Sequence, residues 1–103
     1  MRHAMSINNI TVNVKYYGVI GALAGTKYES IKLSYGSTLK DLLETLIQIK
    51  SSQFKERFIR YDTLASDIII LINNTDYRLL QDLSTPLKDG DTVTIISVVH
   101  GGA

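Results

Sequence analysis

The chain has 103 residues, 45% of them hydrophobic, a formal net charge of +1 and no cysteine. That length suits one domain with a single core, and the missing thiols exclude a disulfide scaffold, a thiolate zinc cluster and a cysteine nucleophile. The lysines and arginines are scattered, which argues against direct nucleic-acid contact, and no apolar run approaches the roughly 18–20 residues of a membrane span, so a cytoplasmic protein without membrane contact is expected.

Met1-Arg2-His3-Ala4-Met5 reads as a cloning remnant ahead of a native start, which leaves a domain over residues 6–99 and a flexible tail over 100–103. Ile10, Val12, Val14 and Tyr16 alternate with Thr11, Asn13, Lys15 and Tyr17, the period of a half-buried strand. Residues 18–25 are a glycine-punctuated connection with room for one helical turn. A second strand follows over residues 27–34, with Ile31 and Leu33 inward and Glu29, Ser30 and Lys32 outward. Tyr35-Gly36-Ser37 turns the chain, and Thr38 is placed to cap a helix, with Asp41 near its positive end. Leu39, Leu42, Leu43, Leu46 and Ile47 then recur at helical spacing, which predicts one amphipathic helix ending near residues 50–52.

Residues 53–66 are polar and mixed, a loop with one helical turn pinned by Phe54 and Phe58. Ile68-Ile69-Ile70-Leu71-Ile72 reads as a strand that is central or covered on both sides. Asn73-Asn74-Thr75-Asp76 is turn chemistry, residues 77–80 form a short strand, and an irregular crossing ends at Asp89-Gly90. The last strand covers residues 92–99. This order predicts an α+β domain of two layers, a mixed sheet of four to five strands with one main helix packed on one face. That is the β-grasp, or ubiquitin-like, arrangement.

Side chains able to do chemistry are few. Gly25-Thr26-Lys27 has the wrong residue order for a phosphate loop and leads into a strand. Asp62, Asp67, Asp76, Asp82, Asp89 and Asp91 fall in turns without the spacing of a calcium loop or a paired acid and base. His100 has no nucleophile or orienting partner in view. The final strand and the tail carry more. With Val93 and Ile95 inward, alternation puts Thr94, Ile96 and Val98 on the sheet face away from the helix, as a candidate docking face. Beyond them His100-Gly101-Gly102 and a trailing Ala103 make a thin end, and glycine backbone can enter a slot that any other residue would block.

Residues 70–80, residues 87–93 and the ending Ile96-Ser97-Val98-Val99-His100-Gly101-Gly102 resemble the ubiquitin-related modifier family, which shares its fold and glycine ending with the MoaD and ThiS sulfur carriers. The resemblance implies that the chain is a substrate rather than an enzyme. An E1-like adenylating enzyme would activate the Gly102 carboxylate with ATP, and a sulfurtransferase persulfide would convert it to a thiocarboxylate. His100 and Gly101 would be read by these partners as the tail is threaded. The loaded end would supply sulfur to a tRNA-thiolation enzyme or acylate target lysines. It also implies a monomer that binds no cofactor itself, ATP and the sulfur donor being used by the partners. Two alternatives stay open: a MoaD-type small subunit of molybdopterin synthase, and a plain β-grasp interaction domain. Ala103 departs from the family pattern, because it replaces the free Gly102 carboxylate by an amide. It is either removed by a protease or an added residue.

Overall fold

The computed structural model describes residues 8–98. The expected tail at 100–103 and the remnant at 1–5 lie outside them, as does Val99. Strand β1 (Asn9–Tyr17) leads through helix α1 (Val19–Ala24) into β2 (Tyr28–Ser34), which returns antiparallel to β1 with Val12 opposite Ile31. Helices α2 (Leu39–Ile49) and α3 (Ser52–Phe58) follow. Two short strands, β3 (Ile59–Arg60) and β4 (Thr63–Leu64), form a separate small hairpin before β5 (Ile68–Ile72), β6 (Thr75–Asp76) and the closing β7 (Thr92–Ser97). The main sheet has five strands in the order β2-β1-β7-β5-β6. β7 lies at its centre, parallel to β1 and antiparallel to β5, so the sheet is mixed.

One face of the sheet is oily because β1, β5 and β7 all keep period two. Val12, Val14, Ile70, Val93 and Ile95 are fully buried there. Leu39, Leu42, Leu43 and Leu46 of α2 join the same core, as do Phe54 and Phe58 of α3. The start of α2 is built as the sequence predicts: Thr38 Oγ1 accepts from the Asp41 amide, while the Asp41 carboxylate accepts from the Thr38 amide at 2.9 Å. Phe54 and Phe58 stack at 5.2 Å between centroids, and Phe54 meets Tyr16 edge-on.

Several expectations change. The connection at 18–25 contains a six-residue helix, and residues 52–58 form a true helix rather than one turn within a loop. Residues 68–72 form an inner strand, between β7 and two-residue β6, but are not covered on both faces, because their exposure alternates. Residues 77–79 are a 3-10 helix, not a strand, because the Asp76 carboxylate accepts from the Arg78 amide and coils the chain away from the sheet edge. Glu29 faces the helices, not solvent, since Lys50 reaches it from the end of α2.

Candidate functional site

β7 ends at Ser97, close in sequence to the diglycine. Val93 and Ile95 point into the core with no exposed surface, which turns Thr94, Ile96 and Val98 to the open face. The three are not equal there. Thr94, between Lys15 of β1 and Leu71 of β5, is 8% exposed and offers a partner almost nothing. Ile96 lies between Tyr17 and Ile69 and is half-buried, as is Val98. Tyr17 is 53% exposed, and Ile69 and Leu71 are half-buried. The accessible apolar patch is therefore Tyr17, Ile69, Leu71, Ile96 and Val98, wider than the three residues of the last strand. β1 and β2 extend it with Lys15, Tyr28 and Lys32, and on the far side Asp76 of β6, opposite Leu71, is paired with Arg78. His100, Gly101 and Gly102 lie outside the described residues.

Sequence reasoning missed the support under the tail. Ser97 is 4% exposed, and its hydroxyl oxygen accepts from the Ile20 amide at 2.9 Å. Gly18 caps α1 with no side chain to offer, so Ser97 supplies the capping oxygen from 77 residues away. Gly18 sits at φ 82°, and a Cβ there would meet the Ser97 carbonyl and lie 2.6 Å from its hydroxyl. Only glycine fits that backbone against β7. The sequence left room for one helical turn at 18–25 but carried no local sign of the oxygen that caps it.

The other polar cluster holds the fold. Glu29 accepts from the Tyr16 hydroxyl at 2.5 Å and pairs with Lys50 at 2.6 Å. Lys50 also donates to the Ala24 carbonyl and lies 5.7 Å from the Tyr16 ring centroid. Burial pushes the Tyr16 phenol far above its ordinary range, and the hydrogen bond to Glu29 adds to the shift. Arg78, by side-chain and backbone hydrogen bonds, lowers the Asp76 carboxyl to about 2. Both clusters join secondary elements. Among the described residues, no group of three histidines, cysteines or carboxylates could hold a metal ion, and no helix is long and apolar enough to cross a membrane.

The family model described as Urm1 (Ubiquitin related modifier) matches residues 11–102, from the first strand through both tail glycines. The chain belongs to the ubiquitin-related modifier family. Among its relatives in that family is ubiquitin-related modifier 1 of Homo sapiens, 36% identical over 97 residues that cover 90% of this chain and 96% of the human one. The modifier fold also matches the solution structure of small archaeal modifier protein 1 from Methanosarcina acetivorans, with a TM-score of 0.73 and 32% identity over 91% of this chain and 98% of that one. A chain of the Amycolatopsis orientalis BexX/CysO complex matches with a TM-score of 0.69 and 26% identity, covering 88% and 99% of the two.

Proposed function

We propose that this ubiquitin-related modifier is a sulfur carrier and protein modifier whose reactive group is the Gly102 carboxylate. The observation that carries the reading is that the family match runs without a break from β1 through Gly102. It is supported by a fold whose last central strand leads directly toward that end. The described side chains offer no cluster for metal catalysis, and the chain has no cysteine. On this reading, which the family match supports, the chain is a substrate for catalysis done elsewhere.

A carboxylate oxygen of Gly102 attacks the α-phosphorus of ATP in an E1-like adenylating enzyme, and pyrophosphate leaves. A sulfurtransferase persulfide displaces AMP from the acyl adenylate. A second thiol then cleaves the acyl disulfide, becoming oxidised to a mixed disulfide and freeing the thiocarboxylate. That group supplies sulfur to a tRNA-thiolation enzyme, or the activated carbonyl is taken by a lysine amine of a target protein. Ala103 must be removed first, because an amide at Gly102 has no carboxylate oxygen to adenylate. The open face around Tyr17 and Ile96 suits the docking of such partners, and its cations favour a partner surface carrying carboxylates. A monomer in the cytoplasm, where thiols stay reduced, is the setting that fits this chemistry.

The test is intact mass. The chain ending at Gly102 is incubated with an adenylating enzyme of this family, ATP and a persulfide donor, beside the chain ending at Ala103. A mass gain equal to the exchange of one oxygen for sulfur, confined to the trimmed chain, is expected. A folded, trimmed chain that stays unchanged while the enzyme loads its own carrier would overturn the reading. In cells, a ladder of conjugates lost on deleting Gly102 separates protein modification from sulfur transfer alone.

A further inference from the structure

We infer that Ser97, Gly18, Asp67 and Arg57 form a collar that fixes the direction in which the chain leaves the fold, and that this direction governs how fast the tail is activated. The inference rests on the carrier reading above. Two independent fastenings meet at the last two described residues. On the β1 side, Ser97 is held by the Ile20 amide, and its hydroxyl points back to the Tyr17 carbonyl at 3.4 Å. Gly18 lies so close that no side chain could intervene. On the β5 side, the Val98 amide donates to the Asp67 carbonyl at 3.0 Å, one residue past the end of β7. Asp67 is itself set: Arg57 of α3 binds both its carboxylate oxygens, each at 2.9 Å, in a bidentate pair about one-fifth exposed on either side.

A strand that merely ended would have no need of this. Ser97 pairs with Ile68 of β5, whereas the pairing with β1 stops at Tyr17 opposite Ile96, so its side-chain hydrogen bonds fasten the chain where that ladder has ended. Together the two fastenings order the backbone up to four residues before Gly102. Each backbone residue left free costs about 1–2 kcal/mol of entropy when it is later fixed in an enzyme groove. A collar that has already ordered Val98 removes part of that cost from the step that seats the carboxylate against ATP, after the folded body has docked. It also sets which way the chain points at Val98, and misplacement of about 1 Å at a reacting centre can lower a rate by about a hundredfold. These are positioning residues; none touches the reacting carboxylate.

The prediction separates direction from docking. In Ser97→Ala, ending at Gly102, the amide order parameter of Val98 should fall from about 0.85 toward 0.6, with residues 68–96 unchanged. In ATP–pyrophosphate exchange with the adenylating enzyme, kcat should fall about tenfold while KM stays within twofold. Arg57→Lys keeps the charge and loses the fork, and should move both readouts the same way by about threefold in kcat. It serves as the deciding variant if Ser97→Ala does not fold. An unchanged Val98 order parameter overturns the collar. So does a loss of order with kcat intact, or an effect confined to KM. If the unaltered trimmed chain supports no exchange at all, the carrier reading fails instead, and the collar is judged on the relaxation measurement alone.

Discussion

The two faces of the central sheet are made from the same three strands and do opposite things. On the face under the helices, Val12, Val14, Val93, Ile95 and Ile70 are fully buried, and the polar groups that reach that side, Glu29 and Lys50, are paired. On the other face, Lys15 and Tyr17 stand in water, while Ile69, Leu71 and Ile96 are half-covered by their neighbours. The residues of the two sets alternate one by one. The difference teaches that the covered face carries stability and leaves the open face free to be recognised. Removing side chains from one should therefore not resemble removing them from the other.

The largest effect belongs to the covered side. Phe54→Ala removes a fully buried ring packed on Tyr16 and Phe58 and should lower unfolding free energy by about 3–5 kcal/mol in urea titration. A loss under 1 kcal/mol would break the comparison. Next comes an alkaline limit set by Tyr16. Its folded-state pKa is raised, so the folded chain keeps the proton that the unfolded chain releases near pH 10. Stability should be complete below pH 10 and fall above it, by up to about 1.4 kcal/mol per pH unit. Tyr16→Phe should flatten most of that slope in melts run from pH 9 to 11.

On the open face, Ile96→Ala should cost only about 1 kcal/mol, since the side chain is half-buried. It should instead raise KM for activation about tenfold with kcat held, the reverse of the pattern expected at Ser97. The smallest change is Lys15→Ala, within about 0.5 kcal/mol in stability. It should raise KM by about twofold and reduce its dependence on salt. A KM independent of both residues would move the docking surface elsewhere.

Much of the fold was legible because short-range rules govern it. The leucine period of α2, the Thr38 and Asp41 box and the alternation in β1 lie within a few residues of one another. Asn73 and Asn74 adopt positive φ of 49° and 72° at the β5–β6 hairpin, as paired asparagines in a tight turn should. Residues 77–79 differ from the expected strand because a short stretch such as Tyr77-Arg78-Leu79-Leu80 fits a strand or a helical turn, and the hydrogen bond from the Arg78 amide to the Asp76 carboxylate decided between them. The apolar run at 68–72 fits a central strand or one covered on both sides, because alternation is invisible when both faces carry isoleucine or leucine. Its neighbours, not its composition, left Ile69 and Leu71 partly open.

By itself the sequence determined the helix, the strands with a clear period of two, and the glycine ending that points to carrier chemistry. Each of those follows from residues near one another in the chain. Only the tertiary structure decided that Thr94 is buried while Ile96 is not, that Glu29 turns inward to Lys50 and Tyr16, and that Ser97 caps a helix 77 residues away against Gly18. Those facts depend on β7 lying parallel to β1, a pairing between the two ends of the chain. Local periodicity says which side chains face inward, but not which backbone they will meet there.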